Sequence, residues 1–345
     1  MDGRVTLADE SIAQHDTNGI ILPTLAVVVI ARNEEENIGA CLEAALAAVR
    51  GYDSSEVVLV DSDSSDRTVE IAQRYPISIL RYRTERPTAA AGRRIGFAHV
   101  RANYVQFIDG DCCIEPDFIA LALQELTHHP DVGVVYGARR NITAGQNPES
   151  AQIVHGSLGG NALYCASALA LVDSFNPYLI SEEEGELLGR LQAAGFRAAR
   201  IEHLMITHYT ESLQTVEGYL QRHCRGLGLG GGQVLRLSIK QGSFWYHARR
   251  LNRYLMTLLS LLLGLTLAVA SILAHTSVPI FLWLSAALVA FVLLWAKRRS
   301  LRSAVFIVAD WIMVTWSMLK GFVPDPKLPA TFAPALESLK RYDRP

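Results

Sequence analysis

Residues 104–111 read Tyr-Val-Gln-Phe-Ile-Asp-Gly-Asp. The run Tyr104 to Ile108 suits a buried strand, and Asp109-Gly110-Asp111 closes it with two carboxylates on one tight turn. Two such charges repel unless a cation sits between them, and hard oxygen ligands suit Mg2+ or Mn2+ shared with a substrate diphosphate. Asp-x-Asp alone is a weak motif, and a solvated turn is the plain alternative. Its place at the end of a strand favours the cation.

Outward from this turn the same rhythm repeats. Leu25 to Ile30 and Val57 to Val60 are short β-branched runs of the kind buried in parallel sheets, and Ile77 to Leu80 and Val132 to Tyr136 continue the series. Helical spacing separates them: Ile38, Leu42, Leu46 and Val49, then a segment opening near Asp66 and stopping before Pro76, then Ala89 to Ala102, then a stretch after Pro116. Asn33 followed by Glu36 resembles a capping box for the first helix. Strand and helix alternating this way predict an α/β domain on a mostly parallel sheet. Ligands of such sheets bind at the carboxyl ends of the strands. Here those ends read Ala31-Arg32-Asn33-Glu34, Asp61-Ser62-Asp63-Ser64-Ser65-Asp66 and Asp109-Gly110-Asp111, and none is the Gly-x-Gly-x-x-Gly turn of a dinucleotide site. Asp61 is placed to accept from a ligand N–H, with the serines as helix caps. Arg93 and Arg94 read either as a surface pair or as guanidinium groups for a diphosphate. Gly226 to Gly232 reads as a mobile loop.

Composition separates a second part of the chain. The 345 residues are 50% apolar and 19% charged, with a net charge of −2, which excludes disorder, a disulfide scaffold and a nucleic-acid coat. Tyr254 to Ala296 holds 43 residues without one Asp, Glu, Lys or Arg. Within it, Tyr254 to Ala274 (21 residues) and Val278 to Ala296 (19 residues) each have the length of a membrane span. Arg249, Arg250 and Arg253 precede the pair, and Lys297, Arg298, Arg299 and Arg302 follow it, so both clusters are expected on the cytoplasmic side. A further apolar stretch, 303–322, carries Asp310, Trp311, Trp316 and Lys320. A helix lying on the cytoplasmic face is preferred there over a third span. Five scattered cysteines, none in a Cys-x-x-Cys pair, read as free thiols of a reducing compartment, and the acidic leader is unlike a signal peptide.

Six segments together resemble family 2 glycosyltransferases of the GT-A fold. They are Val-Val-Ile-Ala-Arg-Asn-Glu-Glu (28–35), Val-Asp-Ser-Asp-Ser-Ser-Asp-Arg-Thr (60–68), Gly-Arg-Arg-Ile-Gly (92–96), Asp-Gly-Asp (109–111), Gly-Gly-Asn-Ala-Leu-Tyr (159–164) with Phe-Asn-Pro (175–177), and Glu-Glu-Gly-Glu-Leu-Leu-Gly-Arg-Leu (183–191). The resemblance implies that Ala31, Glu34 and Asp61 hold a nucleoside, that Arg93 lies near the diphosphate, and that Asp109 and Asp111 meet ribose and metal. It also implies that Glu184, beside Glu183, is the catalytic base and that His208 completes the shell of a Mg2+ or Mn2+ ion. Gln221-Arg222-His223-Cys224-Arg225 is similar to the Gln-x-x-Arg-Trp motif of processive polysaccharide synthases, but its arginine is one residue late and Gly226 replaces tryptophan. Long processive polymerisation is therefore not expected, and Arg222 or Arg225 is expected to contact a phosphate. Ile30, Arg67 and Arg94 depart from the family's usual proline, glycine and asparagine.

The resulting expectation is a polar leader (1–23), a GT-A domain (24–235), a basic juxtamembrane segment (236–253), transmembrane helices at 254–274 and 278–296, an interfacial or third transmembrane helix (303–322) and a cytoplasmic tail (323–345). Such a chain is expected to be a multi-pass protein of the cell (inner or plasma) membrane with its catalytic domain in the cytoplasm. Its partners are expected to be a nucleotide-sugar donor, a lipid-linked or polysaccharide acceptor and the bilayer, with no nucleic acid. The rival is a non-catalytic GT-A-like scaffold of a polysaccharide assembly complex.

Overall fold

The structure is a computed structural model that describes residues 14–15, 21–22, 24–52, 54–143, 151–155, 158, 160–210, 226–327 and 329–342. The chain divides into two compact units, Met1–Tyr178 with Arg190–Leu213 and Pro329–Pro345, and Leu179–Gly189 with Gln214–Leu328.

The first unit is an α/β sheet. After a short pair, β1 Gln14–His15 and β2 Ile21–Leu22, come β3 Leu25–Ala31, α1 Ile38–Ala48, β4 Ser55–Asp61, α2 Thr68–Ala72, β5 Ser78–Arg83, α3 Ala89–His99 and β6 Tyr104–Asp109. Then follow β7 Cys112–Ile114, α4 Phe118–His128, β8 Val132–Thr143, β9 Gln152–Val154, β10 Leu163–Cys165, α5 Ala166–Leu171, α6 Glu183–Ala193 and β11 Arg197–Thr210. The sheet runs β12-β5-β4-β3-β6-β10-β8-β11-β7, where β12 is Ala335–Lys340 near the end of the chain. Strands β3 to β6 are mutually parallel, as the periodicity predicts, and every residue of β3 is buried because both its faces are covered. Val27 and Val29 join Ile38, Leu42 and Ala45 of α1 in the core. The intervening Val28 and Ile30 meet α3, where a Cβ on Gly96 would lie 2.2 Å from Val28 Cγ1.

Register fixes the site. Ala31 pairs with Asp61, Ile30 with Asp109, and Asp61 with Arg81, so the polar residues ending β3, β4, β5 and β6 stand side by side along one edge. The predicted capping box does not form. Asn33 adopts a left-handed φ of 58° and α1 begins at Ile38. Asn33 Oδ1 instead accepts from Ser65 N at 2.8 Å, while Asn33 N donates to Ser64 Oγ (2.9 Å), Glu34 N to Thr68 Oγ1 (2.7 Å) and Glu35 N to Asp66 Oδ2 (3.0 Å). The serines thus lace the loop after β3 to the loop after β4 and do not cap α2, where Asp66 Oδ1 accepts from Thr68 N at 3.0 Å.

Residues 335–340, placed by sequence in a tail, are an antiparallel strand on β5. Lys340 Nζ donates to the carbonyls of Gln73 and Tyr75, and Arg83 pairs with Glu337 at 3.5 Å.

The second unit contains α7 Leu229–Gln241, α8 Phe244–Arg250, α9 Asn252–Leu273, α10 Val278–Arg298 and α11 Leu301–Phe322. Helices α9, α10 and α11 are each long and apolar enough to cross a membrane. Gly226 to Gly232 is not a loop: after a turn it becomes the start of α7, pressed on α11 so closely that a Cβ on Gly232 would lie 1.9 Å from Met318 O. The small residues that suggest mobility are the ones a backbone crossing requires. Leu235, Ala248, Leu251 and Met318 form the local core.

Gly96→Val is expected to lift α3 from the sheet and cost about 2 kcal/mol through overpacking. Chemical denaturation of the purified chain reads this directly, and an unchanged midpoint contradicts the packing.

Candidate active site

Two carboxylates of the Asp-Gly-Asp turn have different surroundings. Asp109 is clamped: Oδ1 accepts from Arg93 Nη2 at 2.7 Å, Oδ2 accepts from Asn161 Nδ2 at 3.1 Å, and Asp109 N donates back to Asn161 Oδ1 at 2.7 Å. Arg93 is only 2% exposed, with Phe175 beneath its guanidinium at 5.7 Å. Phe107, Tyr164 and Phe175 meet edge to face around this point. A Cβ on Gly160 would lie 1.6 Å from Arg93 Nη2, so that residue is glycine because the guanidinium occupies the space. Arg93, expected at a diphosphate, is here turned inward onto Asp109. Its neighbour Arg94 reaches Asp173 Oδ1 at 2.8 Å and the Asp173 carbonyl at 2.6 Å, fastening α3 to the loop before Phe175.

Asp111 faces a different group. β7 runs antiparallel to β11 with Cys112 opposite His208, and this register brings His208 Nε2 to 3.1 Å from Asp111 Oδ2. His208 Nδ1 lies 3.2 Å from Asn141 Oδ1, so the imidazole is held between Asn141 on one side and Asp111 on the other. Burial opposes the charge on Asp111, but the hydrogen bond and charge of His208 outweigh it and hold the carboxyl below its ordinary range. Ligand atoms of Asp111, Cys112 and His208 lie within 4.8 Å of one another. Burial, then the charge of Asp111, pushes the Cys112 thiol well up, and Cys112 Sγ donates to Asp111 Oδ1 at 3.2 Å. What remains for a cation is carboxylate oxygen and imidazole nitrogen, a set that fits Mg2+ or Mn2+.

At the other end of the strand edge, Asp61 is 0% exposed. Its Oδ2 accepts from Ser64 N and from Arg81 Nε, both at 3.1 Å. Among the described residues its buried Oδ1 has no hydrogen-bond partner, the condition for an acceptor kept for a ligand N–H. Ala31 is buried and its carbonyl accepts from Ser62 N at 2.9 Å. Glu34 lies between these two regions. Burial first, and then the carboxylate of Asp111, push it up to about 7.

The acidic run that starts α6 belongs to the second unit, which takes this helix as far as Gly189. Glu183 and Glu186 are buried and Glu184 is partly exposed, while Glu182, with φ of 62°, lies 3.8 Å from Arg250. Arg222 and Arg225 lie outside the described residues, as does Gly159.

The structure therefore brings together Ala31, Glu34, Asp61, Arg93, Asp109, Asp111 and His208, but divides Asp109 from the Asp111 and His208 pair. Sequence reading gave no role to Asn161, Arg81 or Asn141. Asn161 stood within a quoted motif, yet only the closing of β10 against β6 shows that it faces Asp109.

Gly160→Ala is expected to displace the guanidinium and free Asp109, lowering the denaturation midpoint while leaving the helix content seen by circular dichroism intact; an unchanged midpoint contradicts the clamp. Between pH 4.5 and about 7 the folded chain keeps a proton on Glu34 that the unfolded chain loses, so this group lowers stability as pH rises through that window. Glu34→Gln, which fixes the neutral form, is expected to equal the parent at pH 4.5 and exceed it at pH 8, without added divalent cation. The gain is about 1 kcal/mol once solvent screening of a partly exposed group is allowed for. Denaturation midpoints that differ equally at both pH values contradict it.

The family model described as Glycosyl transferase family 2 matches residues 26–169. Glycosyltransferase AglE of Haloferax volcanii is 32% identical over 95 residues, 26% of this chain and 31% of that protein. The dolichol-phosphate mannosyltransferase of Pyrococcus furiosus is 28% identical over 114 residues, 32% of each chain. The chain spans about a third of the length of the curated relatives it matches. Among solved structures, mannosyltransferase PcManGT from Pyrobaculum calidifontis, in complex with GDP-Man and Mn2+, superposes with a TM-score of 0.60 at 17% identity, covering 87% of both chains. That likeness speaks for the fold. Taken with the sheet order and the strand-end carboxylates, these findings make residues 26–169 a family 2 glycosyltransferase domain of the GT-A fold.

Proposed function

We propose that the chain is a membrane-anchored inverting glycosyltransferase of the hexosyltransferase type. It moves a sugar from a nucleotide donor to a lipid-linked or polysaccharide acceptor at the cytoplasmic face of the cell membrane. The observation that carries this reading is the Asp111 and His208 pair, set on the same strand edge as the unpartnered acceptor Oδ1 of Asp61. One end of that edge suits a cation and the other a nucleoside N–H, the two ends of a nucleotide-sugar. The fold neighbour captured with GDP-Man and Mn2+ pairs the same two kinds of ligand.

In this reading Asp61 accepts from the base, with Ala31 and Glu34 beside it, and Arg81 holds the Asp61 carboxylate in place. Asp109, fixed by Arg93 and Asn161, presents its edge to the ribose. A Mg2+ or Mn2+ ion held by Asp111 and His208 would supply positive charge for the departing nucleoside diphosphate. Glu184, the more open carboxylate of the α6 start, takes the proton of an acceptor hydroxyl as that oxygen attacks the anomeric carbon, with Glu183 buried beside it. One base and one in-line displacement invert the configuration. The apolar helices α9 and α10, two stretches of spanning length, motivate an acceptor presented at the bilayer.

A panel of sugar nucleotides and lipid acceptors, scored by release of nucleoside diphosphate in the presence of Mg2+ or Mn2+, tests the activity. Asp111→Ala and Glu184→Gln are each expected to lower turnover by about 10²-fold or more, with Glu184→Gln still binding donor. Donor binding without turnover across the panel would instead support the scaffold, and full activity in either variant removes the assigned role.

A further inference from the structure

The third apolar helix does not follow the other two. The hairpin of α9 and α10 has one basic end, where Arg249, Arg250 and Arg253 enter and Lys297, Arg298 and Arg299 leave. α11 starts at that end, at Leu301. If it ran back along the hairpin, Thr315 would lie about 21 Å from the basic end, at 1.5 Å per residue. Thr315 Oγ1 instead donates to the carbonyl of Tyr254 at 3.2 Å, in the first turn of α9. Further along α11, Met318 packs with Leu235, Ala248 and Leu251, all of which precede α9, and Asp325 pairs with Arg236 at 3.0 Å. α11 therefore crosses the basic end of the hairpin from one side to the other.

Connectivity gives the same answer independently. β11 precedes the helices and β12 follows them, and both are strands of one sheet. A chain that leaves a sheet, crosses a bilayer and returns to that sheet must cross an even number of times. With α9 and α10 crossing, α11 cannot.

α11 nonetheless exposes Leu301 (53%), Val305 (51%), Ile312 (43%), Trp316 (60%) and Leu319 (36%). Their spacings of 4, 7, 4 and 3 put all five on one face. Arg302 and Lys320 stand on its shoulder, with Lys320 Nζ 5.3 Å from the Trp316 ring. We infer that α11 lies in the membrane–water interface on the side of the glycosyltransferase domain. Its apolar stripe enters the near leaflet, and Arg298, Arg299, Arg302 and Lys320 meet anionic headgroups. The anchor then crosses twice, and the continuity of the stripe with the hairpin names its occupant as lipid. This placement rests on the membrane reading of α9 and α10.

The test uses the full chain in vesicles of phosphatidylethanolamine and phosphatidylglycerol. Nitroxides at Val305→Cys, Ile312→Cys, Leu319→Cys and, in α9, Leu262→Cys are compared for collision with oxygen and with a water-soluble nickel chelate, after subtraction of the parent chain with its native cysteines. The expected result is one shallow depth for the three α11 labels and a several-fold higher oxygen-to-nickel ratio at Leu262→Cys. Ile312→Cys as deep as Leu262→Cys overturns the placement and leaves the anchor standing. A shallow Leu262→Cys removes the anchor itself, and this inference with it. Tags before Met1 and after Pro345 are expected to be cut by protease from the same side, and cutting from opposite sides overturns the even count.

Discussion

The ion pair between Arg93 and Asp109 sits where the structure can least tolerate an error. Arg93 is almost fully enclosed, and a guanidinium without its carboxylate at that depth is strongly destabilising. Its surroundings are built to prevent that state: Phe175 lies against it, Gly160 leaves it room, and Asn161 holds the second oxygen of Asp109. Both oxygens of Asp109 are engaged, while the register of β7 on β11 sets His208 against Asp111. The clamp thus gives the two carboxylates of one turn different surroundings, Arg93 and Asn161 for Asp109 and His208 for Asp111.

A second pair does related work at the far end of the same edge. Arg81 holds one oxygen of Asp61, and among the described residues the other, buried, has no hydrogen-bond partner. Arg81 belongs to β5, whose outer edge is covered by β12 from the end of the chain. The last residues therefore support the strand on which the proposed nucleoside contact depends. They also tie the end of the chain to the sheet from which it set out, which links the fold of the site to the path of the helices.

Much of this was legible in the sequence because it depends on local pattern. The parallel strands show as β-branched runs with polar ends, and a carboxyl end is where such a sheet offers side chains to a ligand. The placing of Asp61 and Asp109 at strand ends, with Asp111 on the turn that follows, was legible for that reason. The hidden features are long-range pairings. Nothing near Asn33 reveals that Ser65, rather than the start of α1, takes its side chain, and nothing near Ala335 marks it as a strand partner of Tyr82 and Arg83. The glycines from 226 to 232 mislead because flexibility and close packing call for the same residue. Arg93 shows the same ambiguity for charge: a guanidinium near phosphates and one buried on an aspartate have the same sequence, and only Gly160 and Phe175 separate them.

The proposed cation site of Asp111 and His208 is open to electron spin echo spectroscopy of Mn2+ added to the purified chain with a nucleoside diphosphate. The expected result is a nitrogen coupling from an imidazole that disappears in His208→Gln while phosphorus coupling from the nucleotide remains. Absence of nitrogen coupling in the parent chain, or its persistence in His208→Gln, overturns the proposed site.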